Sequence, residues 1–216
     1  MSVPHAQSQS GNFKYNMSSQ IANVQLSPVG KEISVFPPFV ARQTETLILK
    51  EKLMSLSGDS FDICLANGQP LIRVQGKLGT ISGRKKVYDV GGKYLFDIYK
   101  EHLHIHSTYA VEVEGQGKIM EVKSSFKLIG SKMTASFKSA DGRSHSLTMS
   151  GNWLSTTADI IDESTGALVG RIDRKLFNAR EIFGGQQTYA LVVAPGVDMA
   201  LMAALCICMD EKNNEK

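Results

Sequence analysis

The sequence predicts an all-β protein, a closed antiparallel barrel of about twelve strands around a buried C-terminal hydrophobic helix. Three observations lead there. Between Thr46 and Ala194, short runs rich in Val, Ile, Phe and Tyr alternate with polar residues, the period-2 pattern of half-buried strands. The breaks between runs carry turn chemistry: Asn67-Gly68, Gly91-Gly92, Gly115-Gln116-Gly117, Asp141-Gly142 and Thr165-Gly166. Finally, Met199 to Met209 is apolar at every position, so a helix built on it has no polar side to turn to water.

Residues 1–40 are rich in Ser, Gln, Asn and Pro and show no sustained periodicity; Pro28, Pro37 and Pro38 interrupt any regular element. A flexible or loosely docked polar tail is expected over 1–40, with Phe36 and Phe39 pinning its end to a barrel domain spanning 41–216. Candidate strands are Thr46–Met54, Ser60–Ala66, Leu71–Gln75, Lys85–Val90, Tyr94–Tyr99 and Leu103–Val113, then Lys118–Ile129, Met133–Ser139, Ser144–Gly151, Thr156–Ile161, Leu168–Arg174 and Thr188–Ala194. The connection Gly76-Lys77-Leu78-Gly79 is irregular and has room for a short turn of helix. Regular spacing and tight turns make this a meander of antiparallel strands. Closing it removes exposed edges, and a barrel of about twelve strands is too wide for its own side chains to fill.

The filling is the C-terminal run. Ala, Leu and Met favour helix, and Asp198, just after Pro195-Gly196, stands where an N-cap belongs, so a helix is expected over Asp198–Asp210. At about 1.5 Å per residue it is roughly 20 Å long. Crossing a hydrocarbon core takes about 20 apolar residues. A short helix that is apolar all round belongs inside protein, with Leu201 and Leu205 in the core and Asp198 as its cap.

The 216-residue chain suits one domain with a large core, and its hydrophobic fraction of 42% is ordinary for a globular protein. A net charge of +3 does not suggest bulk nucleic-acid binding. Met1 to Ser10 is polar, without the apolar segment of a secretion signal. Three cysteines, Cys64, Cys206 and Cys208, provide no disulfide framework, and the expected compartment is intracellular and reducing.

Several motifs in order carry a family resemblance: Phe61-Asp62-Ile63 before Asn67-Gly68, Val87-Tyr88-Asp89 before Gly91-Gly92 and Leu95-Phe96, Gly151-Asn152-Trp153, Gly166-Ala167-Leu168-Val169-Gly170-Arg171-Ile172, and Tyr189-Ala190-Leu191-Val192-Val193. The most telling is Ala194-Pro195-Gly196-Val197-Asp198-Met199-Ala200-Leu201, running into the helix and Asp210-Glu211. In these the chain resembles the LURP-one-related proteins over Thr46 to Glu211. That family's fold is like the tubby C-terminal domain and the phospholipid scramblases. The resemblance implies a twelve-stranded antiparallel barrel around a central hydrophobic helix, and no established enzymatic chemistry. Tubby-like domains bind phosphoinositide headgroups through basic residues, and scramblases act on lipid. No position here matches the tubby basic pocket, so that site is not carried over.

The candidate binding residues form a basic hairpin. Between Gly115 and Arg143, Lys118, Lys123, Lys127, Lys132, Lys138 and Arg143 stand against Glu121 and Asp141, a larger surplus than that of the whole chain. Near an anionic leaflet each Lys or Arg contributes on the order of 1 kcal/mol, so a phosphoinositide or anionic-membrane contact is the expectation. Strand parity argues against one shared face, since Lys118 is even-numbered while Lys123 and Lys127 are odd. Arg84-Lys85-Lys86 is a second short basic run, and Arg171, Arg174, Lys175 and Arg180 a third. His102, His104 and His106 alternate with Leu103 and Ile105, which on a strand would gather three imidazoles on one face in a metal-like arrangement. With Leu103 and Ile105 turned inward, these histidines face solvent, and no metal is expected. No nucleophile elbow, phosphate loop or dinucleotide fingerprint occurs. The expected protein is a monomeric, non-catalytic, cytoplasmic binding module without cofactor, peripheral at the plasma membrane. A scramblase-like lipid protein and a barrel enzyme using the histidines are the alternatives.

Overall fold

The computed structural model describes residues 24–50, 60–76, 83–125, 131–151, 157–173 and 188–214. Twelve strands alternate with turns: β1 (Glu45–Lys50), β2 (Ser60–Leu65), β3 (Pro70–Gly76), β4 (Lys85–Asp89), β5 (Tyr94–Glu101), β6 (Thr108–Val113), β7 (Gly117–Ser125), β8 (Ser131–Lys138), β9 (Ser144–Gly151), β10 (Thr157–Asp162), β11 (Leu168–Asp173) and β12 (Thr188–Val193). They form a closed barrel in which sequence neighbours are spatial neighbours and β1 closes the circle onto β12. That closing pair is antiparallel, from Glu45↔Val193 to Lys50↔Thr188. Alternation sorts the side chains as the sequence predicts. On β8, Met133, Ala135 and Phe137 are buried while Ser136 and Lys138 are exposed.

The C-terminal helix α1 (Met199–Asn214) occupies the interior. From Met199 to Met209 no residue is more than 7% exposed. Each Leu or Met so enclosed contributes roughly 1.5–3 kcal/mol. The wall also makes room for it, since a Cβ on Gly170 of β11 would collide with Met202 Cε. Burial pushes the Cys206 and Cys208 thiols up, so both stay protonated inside the core.

Both helix ends are clasped. Asp198 Oδ1 accepts from the N–H groups of Ala200 (2.9 Å) and Leu201 (3.2 Å), the N-cap bond that the sequence predicts. Its Oδ2 accepts from Val35 (3.1 Å) and Phe36 (2.7 Å). At the other end Lys85, side chain 4% exposed, places Nζ 2.9 Å from Glu211 Oε1. A cation there also suits the negative end of the helix dipole.

The expected loose tail is corrected for residues 24–40; residues 1–23 lie outside the described set. Ile33 bridges to Val197 and Val40 to Asp198, and Pro37–Phe39 forms a short 3-10 turn. Phe36 stacks on Phe96 of the barrel interior, with ring centroids 5.3 Å apart. Aperiodic, proline-rich sequence does not build a helix or strand here. It is ordered by the second oxygen of Asp198, 162 residues away in the chain.

The meander separates two mouths. Turns 66–69, 90–93, 114–116, 139–143 and 163–167 lie at the Asp198 mouth, and the described connecting residues 83–84 and 102–107 lie at the Glu211 mouth. One strand expectation shifts. Strand β6 begins at Thr108, not Leu103, and 102–106 is a bend. The ends predicted at Met54 and Ile129, and the Gly76–Gly79 connection beyond Gly76, fall outside the described residues. Among the described residues no helix is long and apolar enough to cross a membrane.

Candidate functional site

With the lumen filled by α1, the outer surface and the rims are left for binding. The hairpin of β7 and β8 shows which lysines meet. The register pairs Lys123 with Thr134 and Ser125 with Lys132, putting Lys123 and Lys132 on the outer face of adjacent strands. A bulge resolves the parity conflict at Lys118. Val111 pairs with Met120 but Glu112 with Lys118, so β7 holds one extra residue, Ile119, and Lys118 comes out exposed with Lys123.

These cations are not bare. Lys118 Nζ lies 2.6 Å from Glu101 Oε1 and 3.2 Å from Glu121 Oε2, and Lys123 Nζ is 2.6 Å from Glu121 Oε1. The bond to Glu101 raises the Lys118 amine, and the bond to Lys123 lowers the Glu121 carboxyl. Lys132 Nζ reaches Glu163 Oε1 at 3.3 Å. Glu163 also accepts from Ser146 and Thr148 hydroxyls, and Thr148 leads in lowering its pKa. Lys138 is exposed and has no ion-pair partner among the described residues. Arg143 turns away to the Asp198 mouth, pairing with Asp141 at 2.6 Å and donating to the Glu32 carbonyl at 2.6 Å. Lys127 lies outside the described residues. The structure therefore joins the Lys118 and Lys123 amines through Glu121 and sets Lys132 beside Lys123 on β8; Lys138, at the Lys118 end of the hairpin, and Arg143 lie toward the Asp198 mouth, and carboxylates line the group.

The histidine reading is corrected. His102, His104 and His106 sit on the exposed bend, not on a strand, and Leu103 and Ile105 are 99% and 95% exposed instead of facing the core. His104 Nε2 lies 3.0 Å from Glu101 Oε2, which ties the bend to the Lys118 network. No group of three or more metal-ligating side chains occurs among the described residues.

The short run Arg84-Lys85-Lys86 is split by the strand. Lys85 points inward to Glu211, while Arg84 and Lys86 lie outside. Arg84 Nη1 is 2.6 Å from Asp97 Oδ2, with its guanidinium 4.1 Å from the centre of the Tyr99 ring. Lys86 sits 5.0 Å over Tyr94. Burial pushes the Tyr94 phenol up to about 12, with the Asp97 charge adding to it. This aromatic-cation cluster was missed in the sequence, although Lys85 shares its parity with the inward Val87. Arg171 of the third run pairs with Asp159 at 2.6 Å; Arg174, Lys175 and Arg180 lie outside the described residues.

One pair resembles the start of a nucleophile relay. Ser139 Oγ lies 3.0 Å from His145 Nε2. The same hydroxyl is 2.5 Å from Asp141 Oδ1, and a carboxylate can only accept, so the hydrogen goes there. His145 Nε2 then donates to the serine and cannot act as its base. This assignment of the tautomer follows from the hydrogen-bond network. The arrangement anchors the β8–β9 turn, and His145 stacks on Phe137 at 5.3 Å.

A sequence profile described as LURP-one-related matches residues 45–210. The chain is 22% identical to Protein LURP-one-related 15 of Arabidopsis thaliana over 195 residues, covering 88% of this chain and 89% of that protein. It is 21% identical to Protein LURP-one-related 10 of the same plant over 188 residues, covering 84% and 96%. An X-ray structure of an Arabidopsis thaliana protein superposes with a TM-score of 0.61 at 18% identity, covering 85% of this chain and 99% of that one, which establishes likeness of fold.

Proposed function

The chain belongs to the LURP-one-related family, and from that premise we propose that it is a non-catalytic, intracellular binding module of the tubby-like kind. Its ligand is an anionic membrane surface or a phosphoinositide headgroup, met on the outer face of β7 and β8 by Lys118, Lys123 and Lys132. The observation that carries this reading is the filled lumen. A barrel whose interior is occupied from Met199 to Met209 has only its exterior to offer. The carboxylates beside the lysines do not forbid it. Exposed ion pairs contribute at most about 1 kcal/mol each, so a phosphate can take a carboxylate's place. The scramblase-like alternative asks α1 to enter a bilayer, and a helix enclosed by the wall and clasped at Asp198 and Glu211 is poorly suited to that. Three free thiols fit a reducing compartment.

Liposome flotation at low salt tests the reading. Vesicles containing anionic lipid should recover more protein than neutral ones, and added salt should abolish the difference. Lys123→Gln with Lys132→Gln should weaken binding by about thirtyfold, at about 1 kcal/mol per lysine. Equal recovery on neutral and anionic vesicles would end the proposal.

A further inference from the structure

We infer that the bend between β5 and β6, residues 102–106, is a membrane-entering tip. Leu103 and Ile105 seat in the acyl boundary of an anionic bilayer with His102, His104 and His106 at headgroup level. This deepens the membrane reading above and rests on it. The barrel turns its aliphatic side chains inward almost everywhere, yet Leu103 and Ile105 are 99% and 95% exposed on a single bend. Two side chains fall far short of the roughly 800 Å² per partner that a stable protein interface buries. A bilayer sets no such requirement, because it accepts any apolar tip held at its surface.

The base of the bend is fixed while its tip projects. The Ser107 carbonyl accepts from the Ser124 N–H at 3.0 Å, and the Thr108 hydroxyl donates to the His106 carbonyl at 3.0 Å. Charge around the tip complements an anionic leaflet. Lys100 and Glu101 come from β5, and Lys118, Glu121 and Lys123 from β7. Glu101 holds both His104 and Lys118, and Glu121 holds Lys118 and Lys123. Among the described residues this sets the Lys118 and Lys123 amines beside the tip, held by surface ion pairs that a lipid phosphate can replace.

The test uses the full chain with vesicles of neutral phosphatidylcholine and vesicles also containing phosphatidylserine. Leu103→Ser with Ile105→Ser should weaken binding to the anionic vesicles about tenfold or more. A Leu103→Trp variant should shift its emission to the blue on anionic vesicles and be quenched by brominated acyl chains. All these positions are exposed, so the variants should melt with the parent protein. If the parent binds anionic vesicles and the Leu103/Ile105 variant binds equally well, the tip is wrong and the membrane reading stands. Binding to neither vesicle sinks both, and leaves the tip to a protein partner.

Discussion

Asp198 joins three parts of the molecule through one carboxylate, taking two N–H groups of the helix and two of the N-terminal segment. Burial pushes its pKa from 3.8 up to about 6, against the pull of those four donors. Because folding raises this pKa, the folded state holds the proton longer than the unfolded chain does. Stability from this group is therefore full below about pH 3.8 and falls as pH rises through about 6, a loss of about 3 kcal/mol. His145 works in the opposite direction. Desolvation lowers its pKa from 6.5, so its contribution grows with pH up to that value. Comparison of the parent with Asp198→Asn separates the two. Urea unfolding at several pH values should show the variant less stable throughout, since an amide cannot accept from Val35 and Phe36 as Oδ2 does, and each stranded donor costs about 1–3 kcal/mol. It should also lack the fall in stability that Asp198 is expected to give the parent as pH rises from about 4 to about 6. An identical pH dependence in parent and variant would refute this account of the cap.

At the scale of the element, α1 is a core segment. Leu201 and Leu205 are 2% and 1% exposed. Leu205→Asp buries a carboxylate without a partner, at a cost on the order of 5 kcal/mol, comparable to the whole stability of a domain. Loss of the cooperative melting transition is expected, with Lys138→Ala on the outer face within about 0.5 kcal/mol of the parent as control. A Leu205→Asp protein that melts like the parent would mean that the helix sits outside the wall. The elements also show where strand logic misleads. His102 to His106 alternates polar and apolar just as a strand would, but the chain leaves the sheet after Glu101 and rejoins it at Thr108. Period alone does not distinguish five residues of strand from five residues of loop.

At the scale of the whole molecule, helix and wall form a single cooperative unit. A helix inside a closed barrel cannot open without breaking a seam in the sheet, whether at β1–β12 or elsewhere. Amides of Leu201 to Met209 should then exchange hydrogen only through global unfolding, with protection free energies equal to that from denaturant. Amides near Pro37–Phe39, held by a 3-10 turn and the Asp198 carboxylate, should exchange through a smaller opening. Exchange in α1 markedly faster than global unfolding would show the barrel to breathe around its helix.

Short-range pattern was enough to read the barrel and its plug from the residues alone. Alternation of period two, glycine turns and a helix apolar on every side are local signals, and together they admit few architectures. The proposed binding surface was only half legible for the same reason. Its lysines could be named, but the register that brings Lys118 out beside Lys123 depends on one extra residue, Ile119, opposite β6. The carboxylates beside them come from Glu101 and Glu163, on other strands and turns. Likewise the seating of residues 24–40 rests on a hydrogen bond spanning 162 positions, and the inward turn of Lys85 rests on Glu211. Such contacts exist only once the sheet has closed, because closure and not sequence proximity decides which side chains become neighbours.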